Sequence, residues 1–196
     1  RYCCMDKIVM WLKIAVSCLP AMLIGLPLND WLDKHFYNPT VVALMLLLYG
    51  AGFLFVERYN RSRKPRVNSI AALRWSDALV SGVFQVLALI PGASRSGATI
   101  LGGILIGTSR EVAAEYTFFL AVPVMFGASL LKIVKFGAIS GTELGVLLVG
   151  MAVAFGVSIL AIRFLMGYIR KHDFTAFGWY RIGLGLLVLL YFYVIR

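Results

Sequence analysis

The nine residues Pro91-Gly92-Ala93-Ser94-Arg95-Ser96-Gly97-Ala98-Thr99 place one guanidinium, three hydroxyls and two glycines in the middle of an apolar stretch. An arginine at bilayer depth is disfavoured by about 2.5 to 3.5 kcal/mol on insertion scales, so intramembrane arginines face protein or a wet cavity and serve a ligand. Pro91 and Gly92 interrupt a helix, and irregular backbone at that depth persists only inside protein or along a cavity. A helix restarting near Ser96 would point its free N–H groups and positive dipole end back at Arg95. Thr99, four residues after Arg95, shares a face with it if helical geometry extends that far back. Arginine, hydroxyls and a helix start together make an anion site, and a phosphate or diphosphate group is the expected occupant.

Such a site needs a membrane scaffold, and the composition supplies one. Of 196 residues, 61% are hydrophobic and 14% charged, with a mean hydropathy of +0.87, whereas soluble domains are roughly 45 to 50% apolar. The expected fold is an all-α polytopic integral membrane protein, a single membrane domain over 1–196. A formal net charge of +10 invites a nucleic-acid reading. The basic residues, however, collect at the ends of apolar spans, as cytoplasmic membrane loops do, and no nucleic-acid partner is expected. Cys3, Cys4 and Cys18 are odd in number and two are adjacent, which argues against a disulfide framework. They are expected to pack as small apolar side chains. His35 and His172 fall in expected loops, far apart, so a histidine-ligated metal or histidine nucleophile is not expected.

A membrane-crossing helix needs about 20 mostly apolar residues. The expected spans are 8–28, which Pro20 is expected to kink, 40–57, 112–134, 143–166 and 176–195. Arg58, Arg61, Arg63, Lys64, Arg66 and Arg74 crowd the 58–74 segment with no acidic residue between them, which marks it as cytoplasmic. Residues 76–90 and 96–107 are each too short to span and meet at the polar motif. They are expected to form a re-entrant hairpin over 76–107 with the motif at its tip, so that both ends face the cytoplasm. A single crossing there would place either the 58–74 loop or the linker holding Arg170 and Lys171 outside. Gly103 with Gly107, and Ala152 with Gly156, have the spacing that lets helices approach closely in lipid.

The run LALIPGASRSGATI (87–100), followed by LGGILIGTSREVAAEYTFFLAVPVMFGASLL (101–131), closely resembles the bacterial undecaprenyl-diphosphatase family, also called bacitracin-resistance proteins. The resemblance extends from the first two spans to the last, which contains Tyr180 and Arg181. It implies hydrolysis of undecaprenyl diphosphate to undecaprenyl phosphate and inorganic phosphate. That reaction recycles the lipid carrier for cell-wall synthesis and confers bacitracin resistance. It also implies a multi-pass protein of the bacterial inner membrane acting from the outer face, with homodimerisation left open.

In the family, two motifs on two inverted hairpins combine, and the resemblance places this chain's motif second. Arg95 is then the phosphate clamp, Ser94 and Thr99 hydrogen-bond the diphosphate, Gly92 and Gly97 let backbone approach it, and Ser96 caps the second half-helix. Ser94 as nucleophile is disfavoured because no base is in view. A capping or interhelical role for Ser94, Ser96 and Thr99 stays open, and Gln85 is read first as a packing hydrogen bond. The general base and the carboxylates for a divalent cation, Mg or Ca, belong to the family's first, glutamate-rich motif. None of the nine acidic residues here falls in the tip. The chain is therefore expected to be N-terminally truncated, half of an inverted-repeat architecture, and inactive alone. A polyprenyl-phosphate transporter or flippase is the alternative, since a broken-helix hairpin with an anion-binding tip is also transporter architecture. A structural subunit of an envelope complex is the third reading, and it predicts that Arg95 is dispensable.

Overall fold

The computed structural model describes residues 2–136 and 141–195; the side chains of Cys3 and Cys4 lie outside the described set. The helices are α1 (Tyr2–Phe36), α2 (Pro39–Asn60), α3 (Trp75–Leu87), α4 (Arg95–Leu105), α5 (Arg110–Phe136), α6 (Gly141–Ile169) and α7 (Thr175–Leu190), which runs into a π-helical turn at Tyr191–Ile195. Among the described residues there is no strand, only an isolated bridge between Val67 and Thr108. Five helical stretches are long and apolar enough to cross a membrane: Met5–Gly25, Pro39–Asn60, Arg110–Val134, Gly141–Ile169 and Thr175–Val194. The protein is an all-α, multi-pass membrane protein.

Local sequence explains the boundaries. Asn38 caps α2 from an extended backbone, its Oδ1 accepting from Val41 N at 2.9 Å, and Pro39 fits the first helical position because it has no N–H to satisfy. Asp77 opens α3 by accepting from Arg74 N at 2.9 Å. α1 continues as helix through both Pro20 and Pro27.

α3 and α4 are the arms of the hairpin. At 13 and 11 residues they measure about 20 and 16 Å, short of the ~30 Å hydrocarbon core. They pack closely because Gly102 has no side chain, and a Cβ there would sit 2.4 Å from the Phe84 ring. The hairpin begins and ends at the basic end of the molecule, with the start of α3 and the end of α4 side by side. Arg66 N donates to Gly107 O at 2.7 Å, just past α4, and Arg66 Nη2 donates to Asp77 Oδ1 at 2.6 Å, at the start of α3. Buried Glu57, near the end of α2, pairs with Arg110 at the start of α5, whose Nε lies 2.9 and 3.0 Å from its oxygens, and accepts from Phe174 N at 3.1 Å. Glu111 pairs with Arg170 at 2.8 Å. The ends of α2, α3, α4, α5, α6 and α7 thus converge beside the 58–74 segment.

Two seams hold the hairpin. On one side Ser17 Oγ, fully buried in α1, lies 2.6 Å from Ala78 O of α3 and 2.6 Å from Tyr116 Oη of α5. Lys13 Nζ donates to Leu73 O at 2.6 Å, so its charge is held at the entry to α3. On the other side α2 and α7 cross so tightly that a Cβ at Gly50 would lie 2.9 Å from Gly178 O, and one at Gly185 3.0 Å from Ala43 O. Small residues permit such backbone approach in lipid. Of the two pairs noted in the sequence, Gly103 does face a neighbour, with a Cβ there 3.0 Å from that of Ala113. Gly156 has nothing within 4 Å among the described residues, and none of the apolar window of α6 is buried. The Ala152 and Gly156 spacing is therefore not used for close packing within these residues.

Candidate anion site at the hairpin tip

α3 and α4 are joined by residues 88–94, a series of tight turns in which Ala88 N donates to Gln85 O, Leu89 N to Val86 O and Ala93 N to Ile90 O. Leu89 packs on Gly25, at the far end of the first span, and Gly92 lies against Val42, three residues into α2. The tip is therefore level with the end of the Met5–Gly25 span and the start of α2, opposite the basic assembly and about one α4 length, some 16 Å, from it.

Gly92 has φ +90°, and a Cβ there would lie 2.6 Å from Val42 O and 2.8 Å from Val42 Cα, backbone atoms that cannot swing aside. Gly92→Ala is accordingly expected to destabilise the protein by about 2 kcal/mol and to displace the tip, read as a lower melting temperature in detergent together with reduced phosphate release. Wild-type values on both counts would show that the contact with α2 is looser than drawn here.

The helix restarts one residue earlier than the sequence suggested. Ser94, not Ser96, is the N-cap of α4: Ser94 Oγ accepts from Gly97 N at 3.4 Å and Ser94 O accepts from Ala98 N at 3.0 Å. Ser96 is exposed, with its Oγ 3.3 Å from Ser94 Oγ. Ser94 has φ +64° and ψ 124°, the one non-glycine positive φ among the described residues. Such a conformation costs about 1 to 3 kcal/mol and is retained where the surroundings enforce it, commonly at ligand sites.

Arg95 is the first residue of α4, and its Nη1 is buried with no hydrogen-bond partner. A buried guanidinium nitrogen with nothing to donate to among the described residues is the strongest sign that an acceptor belongs there, because an unmade bond to a charged donor is expensive. The second orphan on the hairpin is Gln85 Oε1, buried on α3. Among the described residues this oxygen makes no packing hydrogen bond of the kind expected for that residue.

Thr99 is brought to the tip differently from Ser94. It is 3% exposed. Its hydroxyl donates to Arg95 O at 2.9 Å and accepts from Thr117 Oγ1 of α5 at 3.0 Å. In this arrangement it braces the first turn against α5 and is turned away from open space. Gly97 is buried, and a Cβ on it would lie 3.0 Å from Nη2 of Arg181. Arg181, on α7, also donates from Nη1 to Ala93 O at 3.0 Å. Sequence reading placed Arg181 in the last span without a role. Its isolation among apolar residues of α7 is the signal that could have singled it out, by the reasoning applied to Arg95.

The donor set at the tip is guanidinium, hydroxyl and helix N–H. Glu57, Asp77 and Glu111 are bound to arginines at the other end, and no cluster of three His, Cys, Asp or Glu forms among the described residues. These residues fit an anion; the resemblance places the carboxylates for a divalent cation in the family's first motif, not at this tip. A cavity of about 590 Å³ does exist, but it lies at the basic end, lined by Arg63, Lys64, Arg66, Arg110 and Arg170 and by no tip residue. Three of those arginines are already neutralised by the acidic partners named above. The unsatisfied buried donor lies instead at the tip, which makes the tip the candidate site.

The profile of the family described as Bacitracin resistance protein BacA matches residues 4–187. An "Undecaprenyl-diphosphatase" of Acetivibrio thermocellus is 58% identical over 192 residues, covering 97% of this chain and 71% of that relative. One from Desulfitobacterium hafniense is 57% identical over 189 residues, 95% of this chain and 68% of the relative. An "Undecaprenyl-diphosphatase 1" of Clostridium acetobutylicum is 54% identical over 192 residues, 97% of this chain and 70% of the relative.

Proposed function

This chain belongs to the bacitracin resistance protein BacA family, and from that premise we propose that it hydrolyses undecaprenyl diphosphate to undecaprenyl phosphate and inorganic phosphate, with the hairpin tip holding the diphosphate. The observation that carries the site is the buried, unpartnered Nη1 of Arg95. The three relatives described above are named for this hydrolysis and none for transport, so the transporter alternative has no observation in its favour.

The reaction moves the terminal phosphoryl group to water. The bond from the bridging oxygen to the terminal phosphorus breaks, and undecaprenyl phosphate leaves with that oxygen. Phosphoryl transfer asks the protein mainly to position the group and to stabilise charge as it develops on oxygen. Arg95 supplies that, since its planar fork matches phosphoryl oxygens and its position is fixed before substrate arrives. Ser94 and Ser96, adjoining Arg95 with paired hydroxyls, supply further hydrogen bonds, and the α4 N-terminus contributes its dipole. Gly92 brings the loop backbone against α2, and Gly97 keeps the first turn of α4 open. Thr99 acts by holding the Arg95 carbonyl, which fixes the turn from which the guanidinium projects. No step is routed through a divalent cation, which finds no ligand set at the tip.

The tip is level with the end of the Met5–Gly25 span and the start of α2, remote from the basic, cytoplasm-marked end. This supports substrate entry from the outer face of the bacterial inner membrane, where the apolar exterior of α1 and α2 admits a polyprenyl tail. The test is inorganic phosphate release from undecaprenyl diphosphate by the purified protein at its full encoded length, with a parallel assay for movement of undecaprenyl phosphate across vesicle membranes. Release without transport is the expected result. Transport without release would replace hydrolysis with the transporter reading.

A further inference from the structure

Arg181 is the second arginine at the tip, and among the described residues it has no anionic partner. It lies within the Thr175–Val194 span, and none of the ion pairs among the described residues includes it. Nη1 donates to Ala93 O at 3.0 Å, and the guanidinium carbon stands 5.8 Å from the centre of the Phe53 ring. A guanidinium carries five N–H donors, and the single hydrogen bond it makes among the described residues uses one. Pinning one carbonyl requires only a neutral amide, so a full charge in an apolar span is far more than that task needs.

Its placement explains what the charge is for. Arg181 touches the chain on both sides of the Ser94-Arg95-Ser96 sequence: it holds the carbonyl of Ala93 before it and lies flush against Gly97 after it. A Cβ at Gly97 would come within 3.0 Å of Nη2 and 3.3 Å of Cζ. The missing side chain at Gly97 is what lets a guanidinium from a different helix reach the first turn of α4.

We infer that Arg181 is a substrate-contacting residue, the second cationic clamp of the diphosphate. Nη1 holds the loop through Ala93 O while its remaining N–H groups donate to oxygens of one phosphoryl group, and Arg95 takes the other. A diphosphate has two anionic groups, and two arginines from separate helices, converging on one turn, match that count. The inference rests on the reading of the tip as the diphosphate site and adds α7 to the elements that build it.

The test uses the protein at full encoded length, with phosphate release measured against undecaprenyl diphosphate concentration and inorganic diphosphate as competitor. Arg181→Gln retains an N–H for Ala93 O and loses the charge, whereas Arg181→Lys retains the charge and loses the fork. Arg181→Gln is expected to raise KM and the inhibition constant of inorganic diphosphate at least tenfold, with Arg181→Lys recovering much of that loss. Gly97→Ala, which meets only the movable end of the Arg181 side chain, should raise KM several-fold in the native background and add little to Arg181→Gln, as expected when two changes act on one contact. Arg181→Gln with KM and inhibition constant within twofold of wild type would overturn the inference. So would a loss confined to melting temperature, or, should that variant not fold, additive effects of Arg181→Lys and Gly97→Ala. Arg95→Ala, run alongside, separates the two levels. If it leaves release intact, the tip reading itself fails; if it abolishes release while Arg181→Gln is silent, only the second clamp is wrong.

Discussion

Arg95→Ala lowers kcat/KM for undecaprenyl diphosphate by roughly 10² to 10³, the loss that follows removal of one preorganised donor from a site of developing charge. The expectation follows from the state of the guanidinium before substrate binds. Nη1 is buried and makes no hydrogen bond among the described residues, so its donor capacity is free for an incoming acceptor. Binding a phosphoryl oxygen there satisfies the donor, and the bond strengthens as charge accumulates in the transition state. Removing the side chain should therefore cost kcat at least as much as KM. Arg95→Lys is expected to fall between, since it keeps a cation but not the two-pronged geometry. Melting temperature should not fall in Arg95→Ala, because an unsatisfied buried donor is removed. A variant that releases phosphate at the wild-type rate would make Arg95 a structural residue, as the envelope-subunit reading requires.

Glu57→Ala is expected to destabilise the fold by about 3 kcal/mol, near the lower end of the 3 to 5 kcal/mol typical for breaking a buried ion pair. Glu57 is 5% exposed. It joins Arg110 through both carboxylate oxygens and also accepts from the backbone N–H of Phe174. Its loss strands an arginine and a buried peptide N–H together, at the point where α2, α5 and α7 meet. The estimate stays low because the Arg110 side chain is 39% exposed and can reach water. Glu111→Ala is the matched control. Its pairing with Arg170 joins side chains 45% and 64% exposed, and such surface pairs contribute roughly 0 to 1 kcal/mol. Denaturant titration of both variants in one detergent should separate them clearly. Equal, small effects would mean that the junction is hydrated and that Glu57 holds nothing together.

Much of this was legible in the sequence because membranes impose strong rules. A charged motif between two short apolar arms, next to a segment with six basic and no acidic residues, has few solutions, and the hairpin is one. The site was legible as far as neighbours in sequence could reveal it: Ser94, Arg95, Ser96 and Gly97 are consecutive, so the turn of α4 brings them together automatically. What stayed hidden is long-range. Arg181 reaches Ala93 across 88 positions, and no local pattern announces that α7 crosses beside α4. The tight crossing of α2 and α7 through Gly50, Gly178 and Gly185 was equally invisible, because those glycines lie on different segments and pair only in space. Ser94 rather than Ser96 became the cap because the choice between two serines flanking one arginine depends on a single backbone torsion, the positive φ at Ser94. Thr99 has the right spacing to share a face with Arg95, yet the presence of Thr117 on α5 turns its hydroxyl inward, a contact that spacing alone does not contain.

Whether Arg95 holds the diphosphate at the hairpin tip is open to direct observation. The most direct measurement is an experimental structure of the protein at full encoded length with inorganic diphosphate bound. The expected result is a phosphoryl oxygen within about 2.7 to 2.9 Å of Arg95 Nη1, the range of a charge-assisted hydrogen bond, beside Ser94 and the start of α4. Diphosphate bound instead in the basic cavity by Arg63 and Lys64, with the tip empty and Arg95 Nη1 still unpartnered, would contradict it.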